Sequence, residues 1–177
     1  MRALADALID PAAYAAHLPA RVVAALPADA VAFTVTDDAS DTAAFSAHYG
    51  FALDDCANTI VIRYRAGGVE KYAAVVCLGS RRLDVNGALK AALGAQRLSF
   101  AKREDAVALS GMAFGAITLF GLPADWRVLV DEAVVSRERV VMGAGVREAK
   151  LLLPARTLAA LPGVQIAALS AASAPDT

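Results

Sequence analysis

Histidine is scarce in this 177-residue chain: only His17 and His48 are present. A multi-histidine metal centre is therefore excluded, and neither a metal nor an organic cofactor is expected. Cysteine is equally sparse. Cys56 and Cys77 form no C-x-x-C pair and supply no disulfide framework. That usage suits a cytoplasmic protein with reduced thiols. Aromatic residues make up 6% of the chain, too few for a stacking platform for single strands. An excess of either charge is also missing, with 17 Lys+Arg against 18 Asp+Glu and a net charge of -1. Domains that wrap nucleic acid carry a marked basic excess, so DNA is not an expected partner, although a local basic patch remains compatible. Long apolar runs are absent. Stretches such as Ala73–Leu78 fall far short of the ~20 residues of a spanning helix, so no membrane partner is expected. Asp6 and Asp10 interrupt the start of the chain, which argues against a signal peptide.

What is present is alanine. It accounts for 43 residues and for much of a 58% hydrophobic fraction. Alanine favours helix and buries little area, so the figure does not point to a membrane protein. The length suits one domain over residues 1–177, with helices over roughly 1–30 and a frayed tail over 170–177. Helices are expected over Leu4–Ala16 and between Pro19 and Pro27. A short extended stretch follows at Phe33–Val35. Asp38–Ser40 offer N-caps for a helix over Asp41–Tyr49 that Gly50 ends. The pattern then switches to period two. Thr59–Tyr64 and Glu70–Leu78 flank Ala66-Gly67-Gly68, a strong hairpin signal. Asp84 caps a helix to Leu93, Arg97–Phe100 reads as a strand, and Arg103–Leu109 reads as a helix. Strands are expected at Arg127–Val130, Arg139–Met142, Lys150–Leu153 and Val164–Ala168, with Pro154 opening a short helix. The expected class is α+β, with a mixed, largely antiparallel, barrel-like central sheet surrounded by helices.

Familiar catalytic signatures are missing. There is no P-loop, G-x-S-x-G, H-E-x-x-H or dinucleotide fingerprint, and Gly143-Ala144-Gly145 precedes a strand rather than a helix. Cys56 and Cys77 lie beside apolar runs, where buried thiols are usually inert. His48 closes a helix and suits its dipole better than it suits a base. The pair Arg81-Arg82 reads equally well as a solvated turn and as a phosphate contact. Gly115, Gly121, Gly143 and Gly145 allow close backbone approach to a ligand, although ordinary turn chemistry explains any one of them alone.

The order of these pieces is more specific than any one piece. Ala57-Asn58-Thr59-Ile60-Val61-Ile62 is followed by Gly79-Ser80-Arg81-Arg82-Leu83-Asp84. Then come the run Gly111 to Gly121 (GMAFGAITLFG), Val128-Leu129-Val130-Asp131, and Gly143-Ala144-Gly145-Val146-Arg147. Over roughly Thr34 to Leu169 the chain resembles the YbaK family of free-standing aminoacyl-tRNA editing domains, relatives of the editing insertion in bacterial prolyl-tRNA synthetases. The resemblance implies hydrolysis, in trans, of the ester joining a wrong amino acid to tRNA. Such a second pocket is needed because a methylene discriminates only ~10–200-fold at the synthetase. The implied partners are the 3′ acceptor end of a mischarged tRNA and, as a second candidate, an aminoacyl-tRNA synthetase.

The resemblance also implies site residues. Asn58, Gly115 and Ala116 would carry the reaction. Asn58 would position the carbonyl or terminal adenosine, and glycine-loop N–H groups would stabilise the oxyanion. Thr118, Asp131, Gly143, Gly145, Arg81 and Arg147 would bind substrate, with Asp131 holding an α-ammonium group or ordering a loop, and Arg147 touching phosphate or pairing on the surface. Small residues would leave room for a side chain such as alanine. The sequence departs from the family pattern at four places. Asn58 stands where many members have lysine, Ala116 replaces a glycine, Leu119 a proline, and Gly143 a serine or small residue. A second role follows from those departures, the same fold as a catalytically weak binding module for an aminoacylated end, a metabolite or a protein; a third, a structural role with a vestigial pocket, requires a closed or filled cleft between the Asn58 strand and the glycine loops.

Overall fold

The computed structural model describes residues 4–39 and 41–172. Ten strands run through them: β1 Val31–Thr34, β2 Cys56–Ala66, β3 Val69–Leu78, β4 Arg81–Leu83, β5 Arg97–Phe100, β6 Arg127–Asp131, β7 Arg139–Gly143, β8 Ala149–Pro154, β9 Val164–Ala167 and β10 Ser170–Ala172. The helices are α1 Tyr14–His17, α2 Ala20–Ala25, α3 Thr42–Tyr49, α4 Lys90–Leu93, α5 Arg103–Ser110, α6 Glu132–Val135 and α7 Ala155–Ala159.

The hairpin signal is realised directly. β2 and β3 pair antiparallel from Ala57↔Leu78 to Ala66↔Val69, which leaves only Gly67 and Gly68 in the turn. Both glycines have positive φ, at 59° and 77°, which a two-residue turn matched to strand twist demands. This hairpin is the centre of a mixed sheet ordered β1-β8-β7-β2-β3-β6-β9, with β5 also on β2. The β1–β8, β7–β8, β2–β3 and β2–β5 ladders are antiparallel. The β2–β7, β3–β6 and β6–β9 ladders are parallel.

The sheet is buried on both faces. Alternate residues of β3 point to opposite sides: Ala74 and Val76 join one core with Met142, Leu151 and Leu153, while Ala73 and Val75 join another with Ile62, Leu89 and Leu129. That two-sided burial explains why the second half of β3 reads as a continuous apolar run rather than an alternating one. A third core seats Phe45 and Tyr49 of α3 against Phe33, Val141 and Leu152.

Several local expectations shift. The first helix breaks into 3-10 turns at Leu4–Ala7 and Pro11–Ala13 followed by α1. Its interruption is chemical: Pro11 cannot continue a preceding helix, and the Asp10 side chain accepts from Ala12 N–H at 2.9 Å to start a new turn. The cap of α3 is Asp41, which accepts from Ala44 N–H at 2.9 Å, rather than a residue of Asp38–Ser40. Ser40 lies outside the described residues. Pro154 is the N-cap of α7 and the last residue of β8, not its first helical residue. The tail expectation is corrected over Ser170–Ala172, which pair antiparallel with Arg81–Leu83. Residues 173–177 lie outside the described residues.

Candidate functional site

A cavity opens where strand pairing stops. β2 pairs with β7 only at Cys56 and Ala57, then with β5 from Ile62 onward. Between those ladders Asn58–Val61 keep β3 on one side and, among the described residues, have no strand on the other. The gap holds a cavity of about 410 Å³. Cys56–Val61 of β2 form one wall. Val141–Gly143 of β7, Lys150 of β8 and the start of α3 at Asp41, Thr42 and Phe45 form another. Phe114, Gly115 and Ile117 of the glycine loop, together with Phe100, complete it. Burial tells the inner end from the mouth. Phe45, Cys56 and Lys150 are 1%, 3% and 8% exposed, whereas Phe100 and Phe114 are 58% and 47% exposed.

Asn58 sits within this wall with a fixed orientation. The Thr42 hydroxyl donates to its Oδ1 at 2.6 Å. With the carboxamide oxygen engaged, the Nδ2 amide is the end turned to donate. Thr42 is held in turn by close packing on Gly79, where a Cβ would lie 3.0 Å from its methyl group. Asn58 also borders a second, more open cavity of about 480 Å³ shared with Ile60 and Phe100 and walled by Arg81, Arg82, Asp84 and Asn86.

The two glycine loops are bound to each other. Gly145 N–H donates to Ala116 O at 2.7 Å, and Ala113 N–H donates to Gly145 O at 3.0 Å. Gly143 is where they come closest: a Cβ there would lie 2.5 Å from Ala116 O and 2.7 Å from Ile117 O. Only glycine allows that approach.

Of the residues singled out from sequence, Asn58, Gly115 and Gly143 line the first cavity. The others lie elsewhere. Ala116 is buried, and its N–H already donates to Ala113 O at 3.1 Å, so it is not placed as an oxyanion donor. The Gly145 N–H is likewise spent on the loop contact. Thr118 is fully buried outside the cavity wall, and its hydroxyl has no hydrogen-bond partner. Asp131 is 2% exposed and serves the C-terminal segment, accepting from Leu169 N–H at 2.8 Å and from the Ser170 hydroxyl. Arg81 joins the same clamp: it donates to Ser170 Oγ at 2.7 Å and Ser170 O at 3.0 Å, and lies 3.7 Å from Asp131. Arg147 lies beside Gly115, where a Cβ would come 3.5 Å from its Nη1.

Sequence reasoning missed Thr42, Phe45, Phe100 and Lys150. Only Lys150 carried a signal, as a charge opening an otherwise apolar strand. Its ammonium lies 5.0 Å from the centre of the Phe45 ring. Burial is the main cause that holds it below the usual lysine range, and the like charge of Arg147 adds to the fall, while Cys56 and Asp41 oppose it. Burial pushes the Cys56 thiol up to about 11, against the pull of Lys150. Cys77 is also pushed up to about 11, by burial first and by the charge of Asp131 second. Neither thiol is poised as a nucleophile. Among the described residues no group of three or more His, Cys, Asp or Glu side chains is arranged to hold a metal ion.

The family description "Aminoacyl-tRNA editing domain" matches residues 36–161, a span that contains every cavity residue named above. The chain belongs to that family. Deacylation of aminoacyl-tRNA is the family's chemistry. Solved structures share its fold. The hypothetical protein APE2540 is 24% identical with a TM-score of 0.71, over 79% of this chain and 90% of that one. A proposed trans-editing enzyme for prolyl tRNA synthetase is 21% identical with a TM-score of 0.69, over 79% of this chain and 85% of that one. Comparison with curated proteins gives no match. No helix among the described residues of the editing domain is long and apolar enough to cross a membrane.

Proposed function

We propose that this editing domain hydrolyses, in trans, the ester of a mischarged aminoacyl-tRNA. The observation that carries the reading is the oriented Asn58 in the wall of a cavity of about 410 Å³ at the break in strand pairing. The acyl group enters the cavity, and the terminal ribose stays at the mouth near Phe100 and Phe114. Asn58 donates through Nδ2 to the carbonyl oxygen. As water attacks the carbonyl carbon, charge develops on that oxygen, and the same donor stabilises it. The bond from the carbonyl carbon to the ribose oxygen breaks. The proton released by water passes to the departing ribose oxygen, leaving a free amino acid and an uncharged 3′ end. An activated ester needs orientation and an oxyanion donor more than a strong nucleophile, which suits a cavity whose lining thiol, Cys56, is inert. The near-neutral net charge of -1 suits recognition of the acceptor end rather than the tRNA body.

The test is a deacylation time course on correctly and incorrectly charged tRNAs, including tRNA(Pro) carrying alanine or cysteine. Wild type should release one mischarged amino acid, and Asn58→Ala should slow release about 10²-fold with little change in melting temperature. Release at the wild-type rate in the variant removes Asn58 from the mechanism. A second reading, a binding module without turnover, is favoured by one feature: Asn58 brings no charge to the position where the resemblance places a lysine. It predicts saturable binding of a non-hydrolysable aminoacyl-adenosine with no release from any charged tRNA.

A further inference from the structure

Two cavities meet at Asn58. Among the described residues only Asn58, Ile60 and Phe100 line both, so a group held at Asn58 reaches into each. The first cavity runs inward to the buried Phe45 and Cys56. The second, of about 480 Å³, is a different environment, with the exposed Arg82, Asp84 and Asn86 in its wall. Its size suits a small-molecule site, which commonly holds ~300–1,000 Å³. An aminoacyl ester has two unlike halves. The amino acid is a dead end and fits the inward cavity. The nucleoside carries a phosphate and continues into a polymer, so it needs a polar cavity with an open side.

The arginine pair of β4 divides its work. Arg81 is spent on Ser170 and Asp131. Arg82 is exposed, and among the described residues its guanidinium has no hydrogen bond or ion pair. Such a guanidinium can offer its planar fork to a phosphate. The carboxylate in the same wall is occupied: Asp84 accepts from the Gly87 and Ala88 N–H groups at 2.9 and 2.8 Å. Phe100 supplies a flat surface. β5 fixes its backbone opposite Ile62 of β2, yet the residue is 58% exposed. An aromatic ring held open on a strand can stack under any base.

We propose that the second cavity is a nucleotide subsite: it seats the terminal nucleoside of the charged 3′ end, with the base stacked on Phe100 and its 5′-side phosphate on Arg82. The inference rests on the editing reading and deepens it, because it gives the nucleotide half of the substrate a place apart from the acyl half. The ester then lies at Asn58, where the cavities join. Affinity for the ester depends on a phosphate that the reaction itself never touches.

The probes are 3′-alanylamino-3′-deoxyadenosine, a non-hydrolysable analogue, with and without a 5′-phosphate. Binding is measured by calorimetry on the full chain for wild type, Arg82→Gln and Phe100→Ala. Wild type is expected to bind the phosphorylated analogue about tenfold more tightly, with an advantage that shrinks as salt rises. Arg82→Gln is expected to bring the two affinities within about twofold of each other. Phe100→Ala is expected to weaken both analogues at least about fivefold and to keep the preference. The wild-type comparison tests the proposal even if a variant fails to fold. Equal binding of the two analogues by wild type overturns it, as does a phosphate preference that survives undiminished in Arg82→Gln. If the analogues bind without preference, or do not bind, while mischarged tRNA is still hydrolysed, this inference fails and the editing reading stands. If wild type binds neither analogue and releases no amino acid from any charged tRNA, both fall.

Discussion

Asn58 is held by a neighbour that is distant in sequence. Thr42, at the first turn of α3, sets which end of the carboxamide faces the cavity. Replacing Thr42 with valine keeps the methyl group that packs on Gly79 and removes only the hydroxyl. Thr42→Val should lower deacylation about tenfold by letting the amide turn over, and should cost about 1 kcal/mol in stability, the worth of one hydrogen bond. A thermal melt beside the rate assay checks both. An unchanged rate would show that Asn58 needs no help to orient. Cys56 and Cys77 make the opposite case. Both are thiols in suggestive places, yet burial keeps them protonated at neutral pH, so they contribute packing rather than nucleophilicity.

At the scale of elements, two contacts matter. The first is the pair of glycine loops. Gly143 lets β7 end against the Ala116 and Ile117 carbonyls. Gly143→Ala forces those backbones apart and should destabilise the protein by about 1–3 kcal/mol, by analogy with overpacking a filled core. The cavity wall at Gly115 and Ile117 moves with them, so denaturant unfolding and deacylation should report the loss together. The second contact is the clamp on β10. Asp131 accepts from Leu169 and Ser170, and Arg81 donates to Ser170. Asp131→Ala leaves the Leu169 N–H and the Arg81 guanidinium without their carboxylate. It should cost about 2–4 kcal/mol, while the rate per folded molecule stays within about twofold, since Asp131 does not line the cavity at Asn58. A lowered rate at unchanged stability would return Asp131 to the substrate site.

For the whole molecule, the two buried thiols write a pH signature. Each has a folded value of about 11 against an ordinary value of 9.0. Above pH 9 the unfolded chain releases protons that the folded chain retains, so stability falls as pH rises. The contribution is fully present below pH 9 and is lost as pH passes about 11, a change of about 2–3 kcal/mol per thiol. Lys150 runs the other way, because its folded value lies below 10.5 and deprotonation relieves its burial. Comparison with the Cys56→Ala/Cys77→Ala variant isolates the thiols. The wild-type unfolding free energy should decline more steeply than the variant's between pH 9 and 11 in denaturant titrations. Parallel curves would show that the thiols ionise as freely in the fold as out of it.

Local chemistry was readable along the chain because it is local. The Gly67-Gly68 turn, the Asp84 cap, whose carboxylate accepts from Gly87 and Ala88 N–H, and the strand periodicity all depend on residues a few positions apart. Their order along the chain pointed to the editing family, and the α+β sheet followed. Asn58, Gly115 and Gly143 were legible in the same way, as members of ordered motifs. Which side chains share a cavity depended on contacts that no short window contains. Thr42 meets Asn58 across 16 positions, and Arg81 meets Ser170 across 89. Asp131 and Arg81 read as either ligands or structural residues, and only the pairing of β10 with β4, which brings Ser170 to both of them, shows the clamp they form. Lys150 read as the start of a strand, and the register of β8 against Gly143 of β7 and Phe33 of β1 is what places it in the cavity wall. Periodicity says that a residue alternates; only the packed sheet decides what stands on each side of it.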